Sequence, residues 1–332
     1  MRESVLKQPP MVDLSIIIVS FNTLDVTRKC LSSVEQFRPG CTCEVLVVDN
    51  ASADGSPDMV EREFPTVKLI RLSRNKGFSG GNNEGIRRAS GRYILLLNSD
   101  AFVGQGVFDA TLAYMNEHPS TGVLGCALTN PDGSPQPSAR MLPGLINKVF
   151  VMTGLTARFP SSRLFGRVDF SWWDHSHPLQ VGWVVGAYFL IRREVIETIG
   201  LLDERYFLYF DEIDFCRTAA LAGWAVVFYP HARVVHLGGQ STVRSDAGVT
   251  ATGRQLLAHR IRSEFRYYRK WDGLAHVLLS AGVEVLWKAA VLLKNLPSRS
   301  ARARQKRQEA LLTMDLILTT LARDRFGKGV DS

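Results

Sequence analysis

Apolar runs with no polar face recur along the first hundred residues, and each one stops at a polar side chain. LSIIIV (14–19) is rich in β-branched residues and reads as a strand buried on both faces. A helical stretch follows over roughly 23–36. EVLVVDN (44–50) is a second strand of this kind, VKLIR (67–71) a third, and YILLLNSD (93–100) a fourth. Between the last two, RNKGFSGGNNEG (74–85) opens a helix that runs to Ala89. Strand–helix alternation with apolar strands predicts a doubly wound, mostly parallel α/β sheet. The polar residues gather at the C-terminal ends of strands, which is where ligands bind in open sheets of this type.

The second half is less regular. Pro and Gly thicken in NPDGSPQPSARMLPG (130–144), which reads as a surface loop. VGWVVGAYFLIRREV (181–195) reads as a strand entering a helix, and WAVVFYP and ARVVHL as two further strands. Residues 274–296 are long, strongly apolar and followed by SRSARARQKR.

Each polar strand end has a plain reading and a chemical one. Asp49 sits in turn-rich Asp-Asn-Ala-Ser-Asp-Gly, so it is either an Asx turn or an acceptor for a nucleotide base or ribose. The Gly/Asn loop at 74–85 offers backbone N–H groups to a phosphate and glycines for close packing, but matches neither GxGxxG nor GxxxxGK[ST]. Asn98-Ser99-Asp100 ends a buried strand in a carboxylate, which is costly unless something neutralises it. The two glycines of AFVGQGVF make a poor first turn to cap, which favours a hard divalent cation held with diphosphate oxygens and water.

Asp211, Glu212 and Asp214 place three acids within four residues beneath an aromatic cluster, at the start of a short helix that Gly223 stops. Asp211 suits the N-cap and Asp214 a capping-box position, while a general base is the chemical reading. His236, after an apolar strand, is either a satisfied core histidine or a nitrogen ligand facing a cavity, with glycines beyond it leaving room. Trp172, Trp173 and Trp183 are packing residues or platforms for sugar rings.

Taken in order, SIIIVSFN (15–22), VVDNASADGS (47–56), NKGFSGGNNEG (75–85), LLLNSDA (95–101), GWVVGAYFLIRREVIETIGLLDERYFLYFDEIDFCRTAALAGW (182–224) and HARVVHLGG (231–239) resemble a family-2 glycosyltransferase of GT-A fold, near the rhamnosyltransferase-like group. The resemblance covers about 12–270 and implies an α/β, Rossmann-like GT-A domain, with a nucleotide-binding half (12–101) and an acceptor half (102–270). It leaves a tail (1–11) and a basic, amphipathic helical extension (271–332). By resemblance, Ser20, Asn22, Asp49, Asn75, Asn83 and Asn98 line the nucleotide-sugar donor, Asp100 and His236 hold Mg²⁺ or Mn²⁺, and a later acid deprotonates the acceptor hydroxyl.

Two departures bear on these roles. The DxD-like triplet is Asn-Ser-Asp, so Asp100 alone is charged and Asn98 contacts ribose or metal more weakly. The later motif is Asp-Glu-x-Asp where relatives commonly have Glu-Asp-x-Asp, leaving the base between Asp211 and Glu212, with Glu212 favoured by position. The resemblance also implies inversion by one direct displacement and no enzyme nucleophile. The donor it favours is dTDP-L-rhamnose, with UDP-sugars next, and the acceptor is a glycan or polyprenyl-diphosphate-linked glycan of the cell envelope.

Composition adds limits. The net charge of +8 is uneven, with 16 Lys/Arg against 7 Asp/Glu from residue 251 onward. The basicity belongs to the extension, which lacks the aromatic interleaving of a nucleic-acid binder. Five cysteines without metal-ligand spacing read as reduced and cytosolic, and the N-terminus shows no signal-peptide h-region. A sugar-nucleotide pyrophosphorylase would carry a Gly-rich basic loop after the first strand, which Ser20-Phe21-Asn22 is not. A non-catalytic carbohydrate-binding scaffold would not need acids at both sites.

Residues 274–296 are about long enough to span a bilayer, but His276, Glu284 and Lys288 interrupt them. At helical spacing Ser280, Glu284, Lys288 and Val291 form one narrow stripe. That pattern predicts a helix lying in a membrane interface at the cytoplasmic face, with Arg299, Arg302, Arg304, Lys306 and Arg307 toward anionic lipid; a core helix is the alternative.

Overall fold

The computed structural model describes residues 12–238, 244–245 and 248–323; the tail 1–11 and Gly239 lie outside the described residues. In chain order the elements begin β1 (Val12–Ser20), α1 (Leu24–Gln36), β2 (Cys43–Asp49), α2 (Ser56–Glu63), β3 (Lys68–Arg71), α3 (Gly77–Ile86) and β4 (Gly91–Asn98). They continue with β5 (Ala101–Val103), α4 (Val107–Glu117), β6 (Thr121–Thr129), β7 (Pro135–Gln136), β8 (Ala139–Arg140), α5 (Leu145–Met152) and α6 (Leu155–Arg158). Then follow β9 (Leu179–Gln180), β10 (Trp183–Val184), β11 (Tyr188–Arg192), α7 (Arg193–Ile199), α8 (Asp211–Leu221) and β12 (Ala225–His236). The chain closes with β13 (Arg244–Ser245), β14 (Gly248–Val249), α9 (Ala251–Trp271), α10 (Gly273–Asn295) and α11 (Ala301–Arg323). The residues divide into two compact units: 1–142, 160–204 and 212–238 form the first, and 143–159, 205–211 and 239–332 the second.

The first unit is built on a sheet ordered β3-β2-β1-β4-β11-β6-β12-β5, with β7 on β6 and β9 on β12. β1 to β4 run parallel, while β11 enters antiparallel to both β4 and β6. The apolar strands are covered on both faces, as their composition requires. Ile16, Ile18, Val47, Leu95 and Leu97 point into one core with Leu31 and Val60, and Ile17, Leu46, Val48, Ile94 and Leu96 into the other with Ile86 and Phe215.

Two expectations change. WAVVFYP and ARVVHL are one strand, β12, whose register slips between Tyr229 and Arg233 so that Pro230 sits at an irregularity. The 130–144 loop contributes β7 and β8 to sheets. The glycines of α3 serve packing: a Cβ on Gly81 would come within 2.9 Å of Val19, and one on Gly85 within 2.5 Å of Ile17. The five cysteines are free thiols.

The second unit is helical. Ser280 and Glu284 of α10 are buried at 0% and 5% exposure. Lys148 of α5 pairs with Glu264 of α9 and with Glu284, and donates to Ser280 Oγ at 2.8 Å. Arg260 reaches both acids, at 3.1 and 3.2 Å. Burial alone would push the Glu284 carboxyl up; Arg260 and Lys148 outweigh it and hold it below the usual carboxylate range.

The polar stripe therefore faces inward. The leucines of the same helix face outward: Leu278, Leu279, Leu286 and Leu293 are 45–72% exposed. This reverses the arrangement that an interfacial helix with a wet polar stripe would have. Lys148→Met leaves two buried carboxylates sharing one cation, and the expected cost is about 3 kcal/mol, at the low end for a broken buried pair because Arg260 remains. A denaturant midpoint within error of wild type would rule this out.

Candidate active site

β1 lies between β2, which continues the winding to β3, and β4, which starts the other half. Sheets of this kind open a ligand crevice where the winding reverses, at the carboxyl ends of the strands. The register puts Ser20 opposite Asp49 and Val19 opposite Asn98, so the predicted polar strand ends share one rim.

Asp49 is 3% exposed. Its Oδ2 accepts from Ser52 N at 3.1 Å, while Oδ1 is buried with no hydrogen-bond partner among the described residues. Asn98 Oδ1 is in the same state. Two buried acceptors left open at one rim are costly in isolation and suit a ligand that supplies donors or a cation. Asn50 fixes the neighbouring loop, accepting from Lys76 N at 2.8 Å and donating to Gly77 O at 2.9 Å.

Beyond Asn98 the chain turns, and β5 pairs with the end of β12, Ala101 opposite His236. Leu237 N donates to Asp100 O at 3.0 Å. Asp100 Oδ1 and His236 Nε2, 136 positions apart, thereby come to 3.3 Å. Asn98 Nδ2 is 3.5 Å from the same nitrogen. No cluster of three His, Cys, Asp or Glu occurs among the described residues. One carboxylate and one imidazole, both only 13–16% exposed, fit a divalent cation whose other ligands are substrate oxygens and water.

Glu212 belongs to the same neighbourhood. Asn98 N donates to Ala187 O at 3.1 Å, and a Cβ on adjacent Gly186 would lie 3.9 Å from Glu212 Cβ and 3.7 Å from Phe78 Cζ. Arg140 stands over the Trp183 ring at 5.7 Å and pairs with Asp169. Burial lowers the Arg140 guanidinium below its usual value, and the Glu212 carboxylate partly offsets this, so the two charges are in electrostatic reach. Arg140 and Gln136 carried no sequence signal, because a two-residue strand in a Pro/Gly-rich loop has no periodicity to read.

The remaining candidates are placed differently. Ser20 Oγ is buried among Thr23 and Thr27 hydroxyls at 3.2 and 3.0 Å. Asn22, at φ 52°, accepts from Ala53 N at 2.8 Å, and Asn75 accepts from Gly77 N at 2.8 Å. Asn83 spends its amide on Leu202 and Glu204, with Leu202 N donating back at 3.1 Å. Asp214 is 4% exposed. Asp211 is already inside α8, so it occupies the first turn and not the cap expected of it.

The chain belongs to glycosyl transferase family 2, whose family model matches residues 15–200. It is 30% identical over 246 residues, 68% of this chain and 78% of the relative, to an N-acetylglucosaminyl-diphospho-decaprenol L-rhamnosyltransferase of Mycobacterium tuberculosis. Among solved structures it resembles a mannosyltransferase of Pyrobaculum calidifontis in complex with GDP-Man and Mn²⁺, with TM-score 0.51 and 16% identity over 97% of this chain and 79% of that one. It also resembles GalNAc-T7 with UDP, GalNAc and Mn²⁺, with TM-score 0.58 and 16% identity over 95% of this chain and 57% of that one. At such identity the likeness is one of fold, and the fold is GT-A. The protein is a glycosyltransferase.

Proposed function

We propose that the protein transfers L-rhamnose, with inversion, from dTDP-rhamnose to a lipid-linked glycan in cell-envelope polysaccharide synthesis. The observation that carries this reading is the Asp100–His236 pair, set 3.3 Å apart at the rim that also holds the open acceptors of Asp49 and Asn98. The rhamnosyl donor and lipid acceptor are brought in from the name of the mycobacterial relative. A UDP-sugar donor is the second reading, supported by the UDP complex of one structural neighbour.

In this mechanism Asp49 Oδ1 accepts from the base or ribose, and Asn98 faces the ribose or the cation. Asp100 and His236 hold Mg²⁺ or Mn²⁺, which when bound stabilises the charge that develops on the leaving diphosphate. Glu212 takes the proton from the acceptor hydroxyl as it attacks the anomeric carbon, with the Arg140 guanidinium in electrostatic reach of that carboxylate. Asp211 is the reserve candidate. Donor hydrolysis across a panel of sugar nucleotides with Mg²⁺ or Mn²⁺ tests the reading: turnover of dTDP-rhamnose above the UDP-sugars is expected, and equal inertness of all donors would sink it.

The second unit supports action at the cytoplasmic membrane face. α10 is the one helix among the described residues long and apolar enough to cross a bilayer, at mean hydropathy 1.6. Its inward ion pairs and outward leucines suit a helix lying flat with its leucine face in the acyl boundary. Arg299, Arg302, Arg304 and Lys306 are exposed beside its C-terminal end and suit anionic headgroups. Arg307 is used otherwise, donating to Asn295 O and Ser298 O at 2.6 and 2.7 Å.

Liposome flotation is expected to show binding to anionic vesicles that weakens with salt. The pair Leu279→Asp and Leu286→Asp, at 57% and 72% exposed positions, should abolish it without unfolding the helix. Unchanged flotation of that variant would remove the idea.

A further inference from the structure

The far side of the His236 ring is held as firmly as the side that faces Asp100. Gln136 Oε1 lies 2.9 Å from His236 Nδ1. The other end of the same amide, Nε2, lies 2.6 Å from His236 O and 2.6 Å from Asn130 Oδ1. This orientation cannot be turned over. A backbone carbonyl only accepts, so the amide atom against His236 O has to be the nitrogen. Oε1 then faces Nδ1, and since a carbonyl oxygen also only accepts, Nδ1 carries a hydrogen. In the neutral ring Nε2 is left bare, with its lone pair outward. That is the nitrogen 3.3 Å from Asp100 Oδ1.

The support extends one step further out. Asn130 is itself oriented by donating from Nδ2 to Ser134 Oγ at 2.8 Å, and Ser134 donates to Asp132 at 2.6 Å. Gln136 is registered against Leu128 of β6, so its backbone is fixed by the sheet. Gly238, at φ +56°, closes over the pair: a Cβ there would stand 3.6 Å from both Gln136 Nε2 and His236 Nδ1.

We propose that Gln136 is a positioning residue that locks His236 in the Nδ1–H tautomer, so that Nε2 is presented as a ready ligand to a divalent cation shared with Asp100. The proposal rests on the reading of Asp100 and His236 as metal ligands. Its content is separate from that reading: a histidine in water leans toward the Nε2–H form, which would turn a protonated nitrogen toward the cation. The Asn130–Gln136 chain removes that form before the cation arrives. Partners of this kind behind a metal-binding histidine typically change affinity by about 10–100-fold.

The test is the ¹⁵N NMR spectrum of the His236 ring in the full-length, metal-free protein, at a pH where the ring is neutral. The expected wild-type result is a protonated Nδ1 and a bare Nε2. Gln136→Leu should shift the ring toward the Nε2–H form and weaken Mn²⁺ binding, measured by calorimetry with nucleoside diphosphate present, by about 10–100-fold. An Nε2–H ring in the wild type overturns the proposal, whatever the variants do. So does a Gln136→Leu protein with unchanged tautomer and unchanged Mn²⁺ affinity. A wild type with the locked tautomer that binds no Mn²⁺ overturns the metal reading and leaves the lock standing, so the two failures are distinguishable.

Discussion

Asp100→Asn is expected to abolish sugar transfer at any Mg²⁺ or Mn²⁺ concentration. The substitution keeps the shape of the side chain at the β4–β5 turn and removes its charge. Among the described residues no cluster of three ligating side chains exists to take over. An amide and one imidazole do not hold a hard cation against water, and the Lewis-acid contribution to diphosphate departure, several kcal/mol or about a thousandfold in rate, goes with it. His236→Ala should weaken metal dependence less, because a neutral ligand is lost and the carboxylate stays. Calorimetry with nucleoside diphosphate reads the binding directly. Near-normal activity of Asp100→Asn in chelator-treated buffer would mean that the 3.3 Å pair is an internal ion pair and nothing more.

Glu212→Gln should leave donor and metal binding intact and cut transfer by about two to four orders of magnitude, the usual share of general-base catalysis. The case for Glu212 is its place next to Gly186, whose neighbour Ala187 is tied to Asn98, and its reach to Arg140. A nearby guanidinium favours the charged form of a carboxylate, at some cost in basicity. Asp211→Asn should cost mainly stability, since Asp211 is 2% exposed in the first turn of α8, where the helix dipole favours a carboxylate. The assignment fails if Glu212→Gln transfers sugar normally while Asp211→Asn is folded and inactive.

The parallel half of the sheet was legible because its strands announce themselves. Residues 14–19, 44–50 and 93–98 lack a polar face, and each is buried on both sides as that composition demands. The rim was legible for the same reason: a carboxylate ending such a strand needs a purpose.

What the sequence hid is what two-residue strands and register slips do. Gln136 and Arg140 come from a segment with turn composition, and nothing local distinguishes them from solvent-facing loop residues. Pro230 split one long strand into two on paper, because a proline in a strand reads as a break until a bulge accommodates it. The Gly/Asn run at 74–85 left open whether its glycines admit a phosphate or close packing, and Gly81 and Gly85 are set against Val19 and Ile17. Spacing alone does not separate glycines that admit a ligand from glycines that admit a neighbouring strand.

The polarity of α10 carries a consequence for how this region tolerates change. In most helices of water-soluble proteins the apolar positions resist substitution and the charged ones drift freely. Here Glu284 and Ser280 are the anchored positions, while Leu278, Leu279, Leu286 and Leu293 are exposed and little constrained by the fold. A saturation library scored for folding would therefore accept polar residues along the leucine face and reject change at Ser280 and Glu284 as it does at buried Val277 and Ala281. If that face lies in the membrane as proposed, the same library scored for growth on a membrane-dependent product would invert along it, and two maps that agree there would count against the proposal.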